Sequence, residues 1–183
     1  MKTPKVLFCD LDDTLIKTRT GKTFPQGIWD MEFKFDILDK IREICPEYLF
    51  IVTNQGGIGK FITEAEFEAK LKYIEFSIQS YIKSNKFKCI DSMYCPSMDK
   101  EDDFRKPNPG MLTYLCEFYN IFDNYSRDEL LMIGDASDKV KNFSDTDRKT
   151  AENFGINYLD INDFKVKYFN DWQKILINKY WEM

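Results

Sequence analysis

The chain of 183 residues contains no histidine. This absence excludes the Ser-His and Cys-His nucleophile systems and any zinc site with histidine ligands. Acid or base catalysis must therefore use carboxylates, lysine, tyrosine or cysteine.

Cysteines are few and poorly spaced for metal binding. Five are present, an odd number, and no two form a Cys-x-x-Cys pair. Most lie in apolar runs, so we expect reduced, buried thiols in a cytoplasmic protein, or in a nuclear one if the source is a eukaryote.

Long apolar runs and excess positive charge are also lacking. No run approaches the length that spans a bilayer, and the N-terminus carries no signal pattern, so no membrane association is expected. The formal net charge of −5 excludes a global positive field that would attract nucleic acid. A local basic groove is compatible with that total.

Short apolar runs that indicate strands alternate with helical patterns along the chain. This alternation predicts an α/β fold with an open, mostly parallel sheet and helices on both faces. Because repeats and flexible linkers are absent, we expect a single domain over residues 1–183. The predicted strands cover residues 6–8, 48–53, 89–95, 130–133 and 157–160. The predicted helices cover residues 35–44, 63–84, 110–119 and 146–154, with a C-terminal helix at about 164–181.

Two aspartates, Asp10 and Asp12, follow the first predicted strand. Because side chains alternate along extended backbone, both carboxylates start close together where the strand ends. Their repulsion must be relieved by a cation or a shared proton. Asp10 could attack phosphorus as a nucleophile, and Asp12 could donate a proton to the leaving oxygen and then activate water. The alternative for an isolated aspartate is a helix or turn cap.

Polar clusters follow other predicted strands as well. In parallel sheets the carboxyl ends of the strands form the ligand site, so these clusters are expected to meet. Thr53 and the glycine-rich turn after it can hold phosphoryl oxygens, although a plain turn is the alternative. The turn is not a nucleotide P-loop, because Gly59-Lys60 is followed by Phe61 rather than by serine or threonine.

Arg105 and Lys106 precede a predicted helix start, and Asp135 ends the fourth predicted strand. Lys106 can neutralise the crowded carboxylates and the phosphoryl charge, unless it is an ordinary solvated lysine. Mg²⁺ prefers oxygen ligands, and Asp10, Asp135 and the main-chain carbonyl of Asp12 would supply them. The sequence therefore predicts a magnesium site at this edge of the sheet.

These pieces, in this order, resemble the four motifs of the haloacid dehalogenase superfamily of aspartyl-phosphate phosphatases. The resemblance implies a Rossmann-like core, Mg²⁺ as cofactor, Asp10 as nucleophile and Asp12 as acid/base. Neither interval where relatives carry a cap domain has room for a large one here. The motif loops span residues 10–14, 53–59, 105–111 and 134–147.

A narrower resemblance is to the polynucleotide 3′-phosphatases, the phosphatase half of polynucleotide kinase/phosphatase repair enzymes. It rests on residues 12–25, Thr53-Asn54-Gln55, Arg105-Lys106-Pro107 and Gly134-Asp135-Ala136. It implies removal of a 3′-phosphate from DNA ends through an aspartyl-phosphate intermediate, in DNA end repair. We expect a monomer, and a separate kinase or ligase partner is left open.

The resemblance also bears on a further acidic residue at the metal. Related histidinol-phosphate and heptose-bisphosphate phosphatases carry a Thr-Asp pair before a helix, and Thr146-Asp147 matches that pair. Asp147 is therefore ranked above the nearer Asp138 as a metal-supporting residue. The segment 137–145 would then be an inserted loop.

Substrate contacts are assigned to Asn54, Gln55, Arg19 and Arg105. A rim of lysines would add phosphate contacts that do not depend on base sequence. Two other functions stay open: a small-molecule phosphatase of the histidinol-phosphate or sugar-phosphate type, and an inactive module that binds nucleic-acid ends. The rim lysines are Lys17, Lys22, Lys60, Lys139 and Lys141.

Overall fold

The structure is a computed structural model that describes residues 1–22, 25, 27, 29–138 and 144–167. Within these ranges seven strands and five α-helices largely alternate, with two short 3-10 helices before the sixth strand. The strands are β1 (Val6–Cys9), β2 (Ile16–Lys17), β3 (Glu32–Phe33), β4 (Tyr48–Asn54), β5 (Cys89–Cys95), β6 (Leu130–Gly134) and β7 (Asn157–Asp160). The helices are α1 (Phe35–Ile44), α2 (Glu64–Ile82), α3 (Gly110–Phe118), α4 (Thr146–Phe154) and α5 (Ile161–Val166).

Five of the strands form one parallel sheet in the order β5-β4-β1-β6-β7. β1 is central, and Leu7 lies opposite Leu49 of β4 and Leu131 of β6. The predicted mostly parallel α/β sheet is confirmed. Because β1, β4 and β6 run side by side in the same direction, the polar residues that follow them meet at one edge.

The side chains of β1 alternate between two hydrophobic cores. Leu7 and Cys9 lie in the core that contains α1, α2 and α5, whereas Val6 and Phe8 lie in the core that contains α3 and α4. All four side chains are fully buried. Burial of each large apolar side chain contributes about 1.5–3 kcal/mol, so the strand that presents Asp10 is firmly held.

Helix α2 begins at a capping box, as its sequence predicts. Thr63 Oγ1 accepts a hydrogen bond from the Glu66 N–H at 3.3 Å, and the Glu66 carboxylate accepts one from the Thr63 N–H at 2.9 Å. These bonds satisfy backbone donors that the first helical turn leaves free. The helix ends at Ile82, because Lys83 adopts a left-handed backbone conformation with φ of 40°.

Two features differ from the sequence prediction. Strands β2 and β3 form a small antiparallel pair, which the sequence does not indicate because two-residue strands carry no hydrophobic period. The last described helix starts at Ile161 rather than at residue 164, since Asp160 accepts a hydrogen bond from the Asn162 N–H and caps the helix there. It ends at Val166, and residues 168–181 of the prediction lie outside the described residues.

The cysteines are unpaired and at least half-buried in the structure. All five cysteines are free; Cys9, Cys95 and Cys116 are buried, and Cys45 and Cys89 are half-buried. In the part of the chain that the structure describes, no helix has both the length and the apolarity of a membrane span.

Candidate active site

A cleft with a volume of about 280 Å³ opens at the carboxyl edge of the sheet. It lies where β1, β4 and β6 end, which is the usual ligand site of an open parallel sheet. All four sequence motifs contribute to its lining. The lining residues are Asp10, Asp12, Asp13, Thr53, Asn54, Lys106, Asp135, Ala136, Ser144, Thr146 and Asp147.

The backbone after β1 places the two aspartates of the first motif differently. The Asp10 N–H donates to the Ile133 carbonyl of β6 at 3.0 Å, so Asp10 continues the sheet. The chain then turns, and the Leu15 N–H donates to the Leu11 carbonyl at 2.9 Å. As a result Asp10 is buried, whereas Asp12 is exposed to solvent at the mouth of the cleft.

A buried lysine joins two of the carboxylates. Lys106 Nζ lies 2.5 Å from Asp10 Oδ1 and 2.6 Å from Asp147 Oδ1, and only 3% of Lys106 is exposed. Burial acts to lower the pKa of Lys106, but the charges and hydrogen bonds of Asp10 and Asp147 raise it overall. Lys106 is therefore a fixed cation, and the alternative of a solvated surface lysine is excluded.

The site disfavours the charge of Asp10. Burial raises the pKa of Asp10 well above its ordinary value, and the charges of Asp147 and Asp12 act in the same direction. The Lys106 ammonium lowers the pKa of Asp10 but does not offset the burial. A positive charge placed near Asp10 would favour its ionised form.

Three carboxylates come together beside Lys106. Asp10, Asp135 and Asp147 each place a carboxylate oxygen within 4.8 Å of those of the other two. Burial, together with the charges of Asp147 and Asp13, raises the pKa of Asp135 to about 6. Lys106 contacts two of the three carboxylates, those of Asp10 and Asp147. Carboxylate oxygens are the ligands that Mg²⁺ prefers, and the cluster fits a divalent cation.

Asp147 reaches this cluster from the first turn of α4. It is 1% exposed, and its second oxygen, Oδ2, accepts a hydrogen bond from the Ala136 N–H at 3.1 Å. The close approach requires Gly134, because a Cβ added there would lie 2.2 Å from Asp147 Oδ2. Asp138 is not in the carboxylate cluster that the described residues form. The geometry agrees with the ranking of Asp147 above Asp138, while metal binding stays a prediction.

Asn54 ties two of the motif loops together. Its Nδ2 donates to the Lys106 carbonyl at 3.0 Å, and its Oδ1 accepts a hydrogen bond from the Lys106 N–H at 2.9 Å. Both polar ends of the side chain are therefore used to hold the backbone that carries the buried ammonium. The sequence assigns Asn54 to the substrate, and the observed bonds give it a supporting role as well.

Gln55 is directed at the first motif. Its Nε2 donates to Asp12 Oδ2 at 2.8 Å and to Thr53 Oγ1 at 3.0 Å. Thr53 is buried at the end of β4 and lines the cleft. Because the Thr53 hydroxyl accepts the bond from Gln55, it keeps its own hydrogen for another partner.

None of the described residues of the predicted cationic rim lines the cleft. The sequence assigns Arg19 and Arg105 to the substrate, but neither lines the cleft. Arg19 lies beyond β2 and is exposed, and the Arg105 guanidinium donates to the Ser97 carbonyl at 2.5 Å. Their contact with substrate stays a prediction.

The rim lysines are placed as follows. Lys17 forms an ion pair across the β2–β3 pair at 3.8 Å, and Lys22 and Lys60 are exposed. Lys139 and Lys141 lie outside the described residues.

Four lining residues are absent from the sequence-based assignment: Asp13, Ala136, Ser144 and Thr146. Ala136 acts through its backbone N–H, which no side-chain pattern reveals. Thr146 is the first residue of α4. The sequence predicts that a helix starts there, but it does not predict that this residue faces the cleft. Ser144 lies in the loop before α4 and donates to Thr146 Oγ1 at 3.1 Å. Loops have no period that indicates which side chains face a cleft.

The sequence profile of one protein family, described as "Polynucleotide kinase 3 phosphatase", matches residues 5–164. The bifunctional polynucleotide phosphatase/kinase of Schizosaccharomyces pombe is 29% identical over 161 residues, which cover 86% of this chain and 36% of that protein. The chain thus spans little more than a third of the length of this relative.

Similar proteins with another named substrate are also found. The D-glycero-beta-D-manno-heptose-1,7-bisphosphate 7-phosphatase of Salmonella typhi is 31% identical over 133 residues, which cover 66% of either chain. A solved structure also matches this chain, that of D,D-heptose 1,7-bisphosphate phosphatase from B. bronchiseptica complexed with magnesium and phosphate. The TM-score is 0.60 at 17% identity, and the match covers 84% of this chain and 78% of the other. At that identity the structural likeness shows the fold alone.

Proposed function

The chain belongs to the polynucleotide kinase 3 phosphatase family and has the haloacid dehalogenase fold, and from this premise we propose that it removes 3′-phosphates from polynucleotide ends. The proposed reaction is hydrolysis through an aspartyl-phosphate on Asp10. The observation that carries it is the buried Lys106 that bridges Asp10 and Asp147 in an open cleft. A fixed cation among crowded carboxylates suits phosphoryl transfer, in which positioning and charge stabilisation dominate.

Asp10 is the proposed nucleophile and Asp12 the proposed acid/base. Oδ1 of Asp10 is bound to Lys106, which leaves Oδ2 for the attack on phosphorus. Attack forms the bond from Asp10 to phosphorus and breaks the bond from phosphorus to the 3′ oxygen, which takes a proton from Asp12. Asp12 then accepts a proton from water, and this water attacks phosphorus, releases inorganic phosphate and restores the Asp10 carboxylate.

Thr53 and Lys106 are the proposed stabilisers of the transferred phosphoryl group. The Thr53 hydroxyl has a hydrogen to donate to a phosphoryl oxygen, because its contact with Gln55 uses only its oxygen. The Lys106 ammonium contributes a fixed positive charge beside Asp10, where negative charge accumulates during transfer. The support of Asn54 keeps this ammonium in place.

Mg²⁺ is the proposed cofactor. Asp10, Asp135 and the main-chain carbonyl of Asp12 would hold the ion, with Asp147 in support. When bound, the ion supplies positive charge to the phosphoryl oxygens and to the crowded carboxylates. Two observations support this choice: the three carboxylates whose oxygens lie within 4.8 Å of one another, and the magnesium in the B. bronchiseptica structure of the same fold.

Replacing Asp147 by alanine is expected to raise the Mg²⁺ concentration for half-maximal activity by about 10–100-fold, the usual effect of removing a supporting residue from a metal site. The Asp138→Ala variant is the matched control and is expected to show a much smaller shift, since Asp138 stands outside the carboxylate cluster. The measurement is phosphate release during Mg²⁺ titration after treatment with EDTA. A larger shift for Asp138→Ala than for Asp147→Ala would reverse the ranking.

The proposal includes a kinase or ligase that acts on the same ends. Removal of a 3′-phosphate leaves a 3′-hydroxyl, and joining that end to another strand also needs a 5′-phosphate. The S. pombe relative is named as a bifunctional phosphatase/kinase, which supports a linked kinase activity.

A phosphatase that acts on a sugar phosphate is the second candidate, and the 31% identity to the S. typhi heptose bisphosphate phosphatase favours it. Two observations favour the polynucleotide. The family profile matches residues 5–164, and no large cap covers the cleft in the part of the chain that the structure describes. An inactive end-binding module is disfavoured, because Asp10, Asp12 and Lys106 are all present at the cleft.

A panel of phosphate esters tests the substrate. We expect kcat/KM for a 3′-phosphorylated DNA oligonucleotide to exceed that for sugar phosphates and histidinol phosphate by about 100-fold. The same oligonucleotide with a 5′-phosphate is the matched control and should release little phosphate. Turnover of a sugar phosphate without turnover of the 3′-phosphorylated oligonucleotide would favour the second candidate. No release from any ester in the presence of Mg²⁺ would favour the inactive module.

A further inference from the structure

The side chain of Gln55 touches the acid/base and the phosphate-binding hydroxyl at once. Its Nε2 lies 2.8 Å from Asp12 Oδ2 and 3.0 Å from Thr53 Oγ1. Asp12 is 43 positions away in the sequence, so the bond joins two separate motif loops across the cleft. We propose that Gln55 is a positioning residue that holds the Asp12 carboxyl group in one orientation toward the leaving group.

The side-chain NH₂ group of Gln55 only donates hydrogen bonds, so the Asp12 oxygen that it contacts must act as an acceptor. Oδ2 of Asp12 is therefore engaged by Gln55, and Oδ1 is the oxygen left to face the leaving group. Without this contact the exposed Asp12 carboxylate is free to rotate, and either oxygen faces the leaving group only part of the time.

The position of Gln55 does not depend on its side chain. Its backbone N–H donates to the Cys95 carbonyl at the end of β5 at 2.7 Å, and its carbonyl accepts a hydrogen bond from the Ile58 N–H at 3.1 Å. These bonds hold the turn after β4. A substitution at position 55 can therefore remove the amide while the turn and the Thr53 backbone stay in place.

This inference rests on the proposed role of Asp12 and differs from the substrate contact that the sequence assigns to Gln55. A positioning residue for the acid affects the step in which the leaving oxygen is protonated. A poor leaving group, such as the alkoxide of a sugar or nucleotide, needs that proton, whereas p-nitrophenolate needs it far less. The two roles therefore differ in how the loss of activity depends on the leaving group.

The test compares the Gln55→Met variant with wild type over a series of small phosphate esters, from p-nitrophenyl phosphate to an alkyl phosphate. Methionine matches glutamine in length but donates no hydrogen bond. We expect kcat/KM to fall by about 10–100-fold for the alkyl ester and by less than about 3-fold for the p-nitrophenyl ester. The Gln79→Met variant, on the exposed face of α2, is the control and should match wild type with both esters.

Two outcomes would overturn the inference. An equal loss with both esters would mean that the amide only supports the fold of the site. In the second outcome, kcat/KM depends on the leaving group in the same way in variant and wild type, and KM rises for the 3′-phosphorylated oligonucleotide alone. Gln55 would then be a substrate contact. The ester series can be measured without an oligonucleotide. If wild type hydrolyses the esters but not the oligonucleotide, the proposed substrate is refuted, and the test of Gln55 with the esters is still decisive.

Discussion

The Asp10→Asn variant is expected to lose phosphatase activity by about 10⁶-fold, the scale seen when the nucleophile of another hydrolase is removed. An amide oxygen does not form the aspartyl-phosphate, because it lacks the charge and the lone-pair reactivity of a carboxylate. The fold should persist. Lys106 keeps Asp147 as its buried carboxylate partner at 2.6 Å, and asparagine has nearly the same shape as aspartate.

Phosphate release at saturating Mg²⁺ and substrate measures this loss, and the midpoint of urea unfolding checks the fold. The Asp163→Asn variant is the matched control, because Asp163 is exposed on α5. It should keep wild-type activity. Residual activity of Asp10→Asn at a tenth of wild type or more would show that another group attacks phosphorus.

The Lys106→Met variant is expected to lose both activity and stability. Removing a buried charge stabiliser from an active site costs about 10²–10³ in kcat. Removing one partner of a buried ion pair destabilises a protein by about 3–5 kcal/mol, because the remaining charges are left without compensation. Here two carboxylates, Asp10 and Asp147, lose the cation that lies 2.5 and 2.6 Å from them.

The loss of stability in Lys106→Met is expected to depend on pH. The Lys106 charge is the main influence that lowers the pKa of Asp10, so its loss drives the pKa of Asp10 further above the value in the unfolded chain. A carboxyl with a raised pKa in the folded state binds more protons when folded, so folding gains stability as the pH falls. The deficit of Lys106→Met against wild type should therefore shrink as the pH falls from neutral toward the ordinary pKa of a carboxyl group.

Urea unfolding in the presence of EDTA measures this deficit. The Lys86→Met variant, at an exposed position, is the control and should unfold as wild type does. A deficit that is constant over this pH range would mean that Lys106 contributes by packing alone. Wild-type activity in Lys106→Met would remove the ammonium from the mechanism.

Much of the fold follows from local patterns in the sequence. The strand at Cys89–Cys95 and the helices at Phe35–Ile44 and Thr146–Phe154 have the predicted bounds, because apolar period and start signals coincide there. The β2–β3 pair escapes prediction, since its pairing depends on residues far apart and not on a local period. The early start of α5 depends on one aspartate cap, Asp160.

The sequence predicts which residues meet at the site as far as it predicts the order of the strands. Asp10, Thr53 and Asp135 lie at the ends of neighbouring parallel strands, so their meeting follows from the alternation of strands and helices. The rotamers are not predictable in this way. The sequence does not indicate that Asn54 binds the backbone of Lys106, or that Gln55 turns toward Asp12, because each bond joins loops that only the folded chain brings together.

Chemical trapping of the phosphorylated enzyme identifies the residue that attacks phosphorus. Borohydride reduces an acyl phosphate on aspartate to homoserine, which mass spectrometry of peptides can place. Wild type is mixed with a 3′-phosphorylated oligonucleotide and Mg²⁺, quenched in acid during turnover and then reduced. The account predicts homoserine at position 10, only when substrate is present, and at none of the other carboxylates of the cleft. Phosphate release without any modification at position 10, or with modification at another residue, would contradict it.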